Sequence, residues 1–270
     1  LQQQMLEKLF RDGFIVLPRI LNENEVASAL SIVEEERRRD KNSYTLFSTS
    51  RELLSIFQDI ILTNYLSLLV KNPTLHKGTE ESHIAVNPCA HDNLKYSISD
   101  RPVHIDGAKV NLGSDGVQLN GGILQHSFTV LCGVALTDQS DVTKGCLEVI
   151  PGSHKWVAEF FRQQRGDSST IIGPGHGNWP AGAAVPPPIK EQQPPILDDI
   201  HSQLVPVLMN PGDLVICCYH LLHRRGYNIS DSNRINLYWR VDAKECAKMK
   251  EEKRNDFLVD ELSGLNILSI

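Results

Sequence analysis

Between residues 82 and 241 the chain breaks into apolar runs of strand length, and this constrains its fold more than any other feature. The runs fall at 83–86, 128–136, 147–150, 204–209, 214–219 and 235–241. Gly, Asn, Asp and Pro separate them, as turns between short strands require. The first 81 residues read differently. Residues 2–11 have the periodicity of a short amphipathic helix, Gly13 stops it, and 14–17 follows as a strand ended by Pro18. Asn22 and Glu25 have capping-box spacing, ahead of a helix whose apolar face carries Val26, Leu30 and Val33. Residues 51–70 carry the buried stripe of one or two more helices. Helices first and strands after predict an antiparallel β-core with flanking helices. The expected class is therefore mainly β (α+β), in a single domain. A helical buttress is expected over 1–81, the core over 82–241 and a closing helix over 244–264.

Residues 166–200 interrupt the core with five glycines (Gly166, Gly173, Gly175, Gly177 and Gly182) and three prolines at 186–188. So long a stretch without periodicity is a lid over a site or an inert insertion. His176 and Trp179 within it favour the lid. Six cysteines include no C-x-x-C pair, so they read as reduced thiols of a cytoplasmic protein, with Cys217 and Cys218 on opposite faces of one strand. Beginning at Leu1, the sequence leaves a removed leader open. No apolar run has the length of a membrane span. A net charge of −6 excludes nucleic acid as the main partner, while leaving room for a local basic pocket.

Chemistry concentrates at two places. In His104-Ile105-Asp106, residues i and i+2 share one face of a strand, so an imidazole and a carboxylate converge. Two nitrogens and one carboxylate on one face of an octahedron suit non-haem iron(II). Alone, the tripeptide reads equally well as a surface turn before Gly107. The second place is more specific. After the run 214–219 come His223, a Gly226–Asn228 turn, and Arg234 eleven residues beyond the histidine. A histidine at one strand end and an arginine early in the next strand face a shared cavity. A planar guanidinium suits a carboxylate there.

These residues, together with Gly145-Cys146-Leu147-Glu148-Val149-Ile150-Pro151-Gly152-Ser153-His154-Lys155 and with Asn228 and Ser230, resemble the phytanoyl-CoA dioxygenase family. The resemblance covers about residues 8–241 and is sharp at the three motifs. It implies a double-stranded β-helix (a cupin-like jelly roll) with Fe(II) between its sheets. It makes His104, Asp106 and His223 the iron ligands and Arg234 the partner of the far carboxylate of 2-oxoglutarate, with O2 as oxidant. A further 2-oxoglutarate contact is expected near Val86, where Asn87 is the candidate. The sequence departs from the family at Val103, often aromatic elsewhere, and at Gly133, where some members place a large residue over 2-oxoglutarate. Both changes bear on the substrate pocket and leave the metal ligands intact.

Other polar residues carry blander readings. His220 and His154 read as a packed histidine and a turn residue; His83, His91 and His126 have no motif around them. Lys109, Arg224 and Arg225 are either receivers for an acidic substrate or solvated charges. Either Tyr238 or Trp239 should point inward. The expected function is oxidation, chiefly hydroxylation, of an unactivated C–H bond of a small molecule, with release of succinate and CO2. Desaturation or ring closure with the same cofactors, a zinc hydrolase and a non-catalytic metal-binding jelly roll are the rivals. Asp106 argues against halogenation, which needs that position vacated for halide. The acidic net charge weighs against a CoA ester. Substrate, source and oligomeric state are not written in the sequence.

Overall fold

The computed structural model describes residues 2–40, 43–76, 80–89, 103–105, 128–155, 157 and 202–244, with the backbone alone of 108–113 and 116–120. Asp106, His91, His126, Cys246, the 166–200 loop and the expected closing helix past Lys244 lie outside the described residues.

The helices form where sequence periodicity and caps place them. Helix α1 (Gln2–Asp12) buries Leu6 and Leu9. It ends at Gly13, whose φ of +83° is a left-handed value that a side chain would resist. Helix α2 (Glu23–Arg39) opens on the expected capping box: the Asn22 side chain accepts from the Asn24 and Glu25 amides, and Glu25 reaches back to the Asn22 N–H. Residues 51–69 form one continuous helical run. It comprises α3 (Arg51–Ser55), a π-helical stretch (Ile56–Leu66) and α4 (Ser67–Leu69).

Among the described residues the strands form two antiparallel sheets. They are β1 (Phe14–Leu17), β2 (Thr45–Ser48), β3 (Pro73–Leu75), β4 (Ser82–Asn87), β5 (His104–Ile105), β6 (Ala108–Gly113), β7 (Gly116–Asn120), β8 (Val130–Ala135), β9 (Leu147–Val149), β10 (Val205–Val207), β11 (Leu214–Cys218), β12 (His223–Arg225) and β13 (Arg234–Ala243). The larger sheet has the order β1-β11-β8-β13-β4-β2, with β3 on the far end of β13. The smaller has the order β10-β9-β12-β5-β6-β7. This is the jelly roll the resemblance implied. The region 1–81 also gives strands to the larger sheet: β1, expected over 14–17, and β2 and β3, which were not expected. Residues 45–48 and 73–75 are too short and too polar to announce themselves as strands. They join because β4 and β13 have open edges to be covered.

The larger sheet is buried on both faces, which is why its strands read as unbroken apolar runs. Val130, Cys132, Val134, Leu214, Ile216 and Leu237 pack outward against the helices. Leu131, Ala135, Val215, Cys217 and Tyr238 pack inward against Leu147, Val149 and Val207 of the smaller sheet. Cys217 and Cys218 therefore do face opposite ways. So do Tyr238, which points inward, and Trp239, which packs on Phe57 and donates to Ser82 Oγ at 3.1 Å. No helix among the described residues is long and apolar enough to cross a membrane.

The Pro151–His154 turn ties helix α1 to the strand that carries His223. His154 Nε2 donates to the Phe10 carbonyl at 2.9 Å, and Ser153 Oγ accepts from the Leu222 amide at 2.8 Å. Burial pushes the His154 pKa down to about 4 and keeps the ring neutral. An unfolded chain takes up this proton near pH 6.5, and the folded one resists until about 4. Stability is therefore full above pH 6.5 and is lost as pH falls toward 4, by at most about 3 kcal/mol. Urea midpoints measured across this range should fall less steeply for His154→Gln, which keeps a donor for Phe10 but does not titrate.

Candidate active site

Two histidines meet where β5 and β12 pair. His223 stands directly opposite His104 in the register, and their ring centroids are 4.5 Å apart. His223 Nδ1 lies 2.9 Å from the carbonyl oxygen of Leu221, which can only accept. Nδ1 therefore carries the proton, and Nε2 keeps the lone pair a metal requires. A spacing of 4.5 Å lets two imidazole nitrogens reach one ion at about 2 Å each. Asp106 is outside the described residues, so the histidine pair alone represents the predicted triad here. His220 is buried in the turn after β11, with its ring against Tyr219 at 4.9 Å.

Arg234 begins β13 and is 3% exposed. Its Nη2 donates to the Tyr238 hydroxyl at 2.7 Å, and its Nε donates to Gln139 Oε1 at 3.2 Å. Both partners are neutral, and no carboxylate among the described residues pairs with this guanidinium. A buried cation with only neutral partners calls for an anion. Arg234 and the two histidines line one cavity of about 140 Å3, together with His83, Ala85, Leu131, Leu147, Arg225, Tyr238 and Arg240. The donor set thus fits a metal at one point and a carboxylate at another, which is the shape of a chelating dicarboxylate.

The sequence left open whether Tyr238 or Trp239 points inward, and it did not single out Gln139. Tyr238 was recoverable, since it lies four residues from Arg234 and so on the same face of β13. Gln139 was not, because it reaches Arg234 from a loop. Gly133 explains how Tyr238 gets there. The two residues are register partners, and a Cβ at 133 would fall 2.4 Å from the tyrosine ring. The Tyr238 ring takes the space that a side chain at 133 would need.

Asn87 is placed differently from its expected role. It is fully buried, and its amide donates to the backbone carbonyls of Gly145 at 3.1 Å and Gly226 at 2.9 Å. Both amide hydrogens are thereby committed, and Asn87 is absent from the cavity lining. Asn228 answers by donating to the Asn87 and Ser232 carbonyls. Gly145 holds φ at +69°, and a Cβ there would lie 2.2 Å from the Asn87 amide nitrogen. This cluster stitches the β12–β13 turn to the start of β9 and so sets the position of Arg234. Asn87→Leu should lower stability by about 2–4 kcal/mol, because it strands two buried carbonyls. Its thermal midpoint should drop, while any binding loss follows the unfolded fraction.

Arg224 faces away from the cavity and pairs with Glu148, its cross-strand neighbour. Arg225, two residues past His223, lines the cavity, as does His83. The side chain of Lys109 is outside the described residues. The five described cysteines are buried, and burial pushes the thiol pKa of Cys132 up and that of Cys146 up to about 11.

Comparison with known proteins places the chain by fold and family. No curated protein gives a significant sequence match. Among solved structures, the non-haem alpha-ketoglutarate-dependent carbocyclase SnoK from nogalamycin biosynthesis superposes with a TM-score of 0.55 at 19% identity, covering 90% of this chain and 85% of its own. HygX from Streptomyces hygroscopicus, with nickel and 2-oxoglutarate bound, superposes with a TM-score of 0.57 at 17% identity, covering 90% and 88%. At such identities these likenesses establish the fold. The family model described as phytanoyl-CoA dioxygenase (PhyH) matches residues 9–236, most of the chain and every motif discussed above. The chain belongs to the phytanoyl-CoA dioxygenase family, and with it to the iron(II)- and 2-oxoglutarate-dependent oxygenases.

Proposed function

We propose that this oxygenase hydroxylates an unactivated C–H bond of a small molecule, with His104, Asp106 and His223 as iron ligands and Arg234 as the anchor of 2-oxoglutarate. The observation that carries the reading is Arg234: a buried guanidinium, without a carboxylate partner among the described residues, in the same cavity as the histidine pair. Bound iron and 2-oxoglutarate would supply the oxidising power, with succinate and carbon dioxide as co-products. The chain supplies the placement. The Leu221 carbonyl fixes the His223 tautomer, while Tyr238 and Gln139 aim the guanidinium. Ala85, Leu131 and Leu147 give an apolar wall against which an oxidisable carbon can be held away from water. HygX has also been crystallised with nickel, 2-oxoglutarate and hygromycin B, which supports a small-molecule substrate. Incubated in air with iron(II), ascorbate and 2-oxoglutarate, the protein is expected to release succinate, slowly alone and faster with its substrate. Release no greater than that from free iron(II) would overturn the reading. Product mass then separates hydroxylation, a gain of oxygen, from desaturation or ring closure, a loss of two hydrogens.

A further inference from the structure

Gly133 is an odd residue for its place. It sits inside β8, a strand whose other residues are apolar and buried. A glycine there forgoes packing and costs more backbone entropy on folding, so a strand interior disfavours it. Its own backbone gives no reason for one either, since Gly133 is not among the glycines with positive φ. The reason is the Tyr238 ring. Tyr238 faces Gly133 in the register, and a Cβ at 133 would fall 2.4 Å from the ring's Cε1 and 2.8 Å from its Cδ1. The ring therefore lies against bare backbone, with its hydroxyl carried back along β13 toward Arg234. Tyr238 and Arg234 share a face, but four residues at about 3.3 Å each put their Cα atoms roughly 13 Å apart. Only because both side chains lean together does the hydroxyl come within 2.7 Å of Arg234 Nη2. The Asn236 amide, between them on the same face, lies 3.1 Å from the same hydroxyl.

The guanidinium is thereby pinned at two nitrogens, Nε by Gln139 and Nη2 by Tyr238, while Nη1 has no partner among the described residues. A bond at Nε alone lets the fork swing, and the second bond removes that freedom. We infer that Tyr238, in the room Gly133 leaves for it, is the positioning residue that sets which length of keto diacid the cavity accepts. The inference rests on the proposed function, in which the keto acid end sits at the histidine pair and the far carboxylate at Arg234. The histidines are fixed in the ladder between β5 and β12, and the guanidinium is fixed over β13, so the span between the two points is constant. A six-carbon diacid, 2-oxoadipate, must buckle or push the fork off Tyr238, breaking a hydrogen bond to a charged group. Without the hydroxyl, the five-carbon diacid loses a preorganised receptor and the longer one gains room. Gly133 is absent from the cavity lining and acts only through the ring.

The test uses protein loaded with manganese(II) in place of iron, and calorimetry with three probes. They are 2-oxoglutarate, 2-oxoadipate, and 2-oxobutanoate, which lacks the far carboxylate. The wild type should bind 2-oxoglutarate at least about tenfold more tightly than 2-oxoadipate, the worth of one hydrogen bond to a charged group. Tyr238→Phe keeps the ring and its packing on Gly133. It should weaken 2-oxoglutarate by about tenfold and leave 2-oxoadipate as it was, closing the gap. Gly133→Ala should close the gap in the same way by displacing the ring, and in the double variant the two losses should not add. The ratio of two affinities on one protein does not depend on the fraction that is competent to bind, so a merely destabilised variant keeps the wild-type ratio. If Gly133→Ala does not fold, Tyr238→Phe decides alone. A wild type that binds both diacids alike, a folded single variant with an unchanged ratio, or losses that multiply in the double variant would overturn the inference. Equal binding of 2-oxobutanoate and 2-oxoglutarate would count instead against the proposed function, since no far carboxylate would then be anchored.

Discussion

His223→Ala is expected to lose metal binding and, with it, succinate release, while the protein stays folded. The residue sits mid-ladder in the smaller sheet, flanked by Val149 of β9 and His104 of β5. Those backbone bonds do not depend on its side chain. What the substitution removes is the imidazole and its bond to the Leu221 carbonyl, about 1 kcal/mol of stability. Loss of a mere supporting contact around a metal typically costs 10- to about 100-fold in affinity, so loss of a ligand should exceed about 100-fold. Iron retained after desalting, together with the thermal midpoint, separates this from unfolding. His104→Ala should behave alike. A His223→Ala protein that keeps iron and turnover would return His220 to consideration as the ligand.

Arg234→Gln should raise the 2-oxoglutarate concentration needed for half-maximal turnover by about 100-fold or more. Two charge-assisted bonds at about 1.5 kcal/mol each give that factor. Stability should not follow binding. Removing a buried cation that has only Tyr238 and Gln139 for company also removes its desolvation cost, so the thermal midpoint without 2-oxoglutarate should change little. Stabilisation on adding 2-oxoglutarate should vanish. The contrast with Asn87→Leu is diagnostic. Asn87 holds the turn that carries Arg234, so its loss lowers the midpoint first.

Much of this was legible in the sequence because the features are local. Six apolar runs became β4, β8, β9, β10, β11 and β13, since turn residues and two-sided burial mark such strands. Strand β12 escaped because His223-Arg224-Arg225 is wholly polar: one face serves the site, and Arg224 on the other pairs with Glu148. Strands β2 and β3 escaped because each is short and is recruited by an edge elsewhere in the chain. Within the site, His223 opens β12 of the smaller sheet and does not end the strand over 214–219; after the turn Arg234 opens β13, and both residues line one cavity. Asn87 was assigned to the co-substrate on the chemistry of its amide alone. It sits beside Arg234 on the neighbouring strand, but the carbonyls of two turns, distant in sequence, take its hydrogens. Such competition is tertiary and leaves no local trace.

The central claim is that the histidine pair and Arg234 act on one bound molecule. An anaerobic titration of 2-oxoglutarate into the iron(II)-loaded protein tests it directly, because chelation of the keto acid to iron(II) produces a visible charge-transfer absorption. The band should appear at saturation with the wild type, be missing in His223→Ala, and require about 100-fold more 2-oxoglutarate in Arg234→Gln. A wild-type protein that binds iron and shows no band at any 2-oxoglutarate concentration would contradict the account.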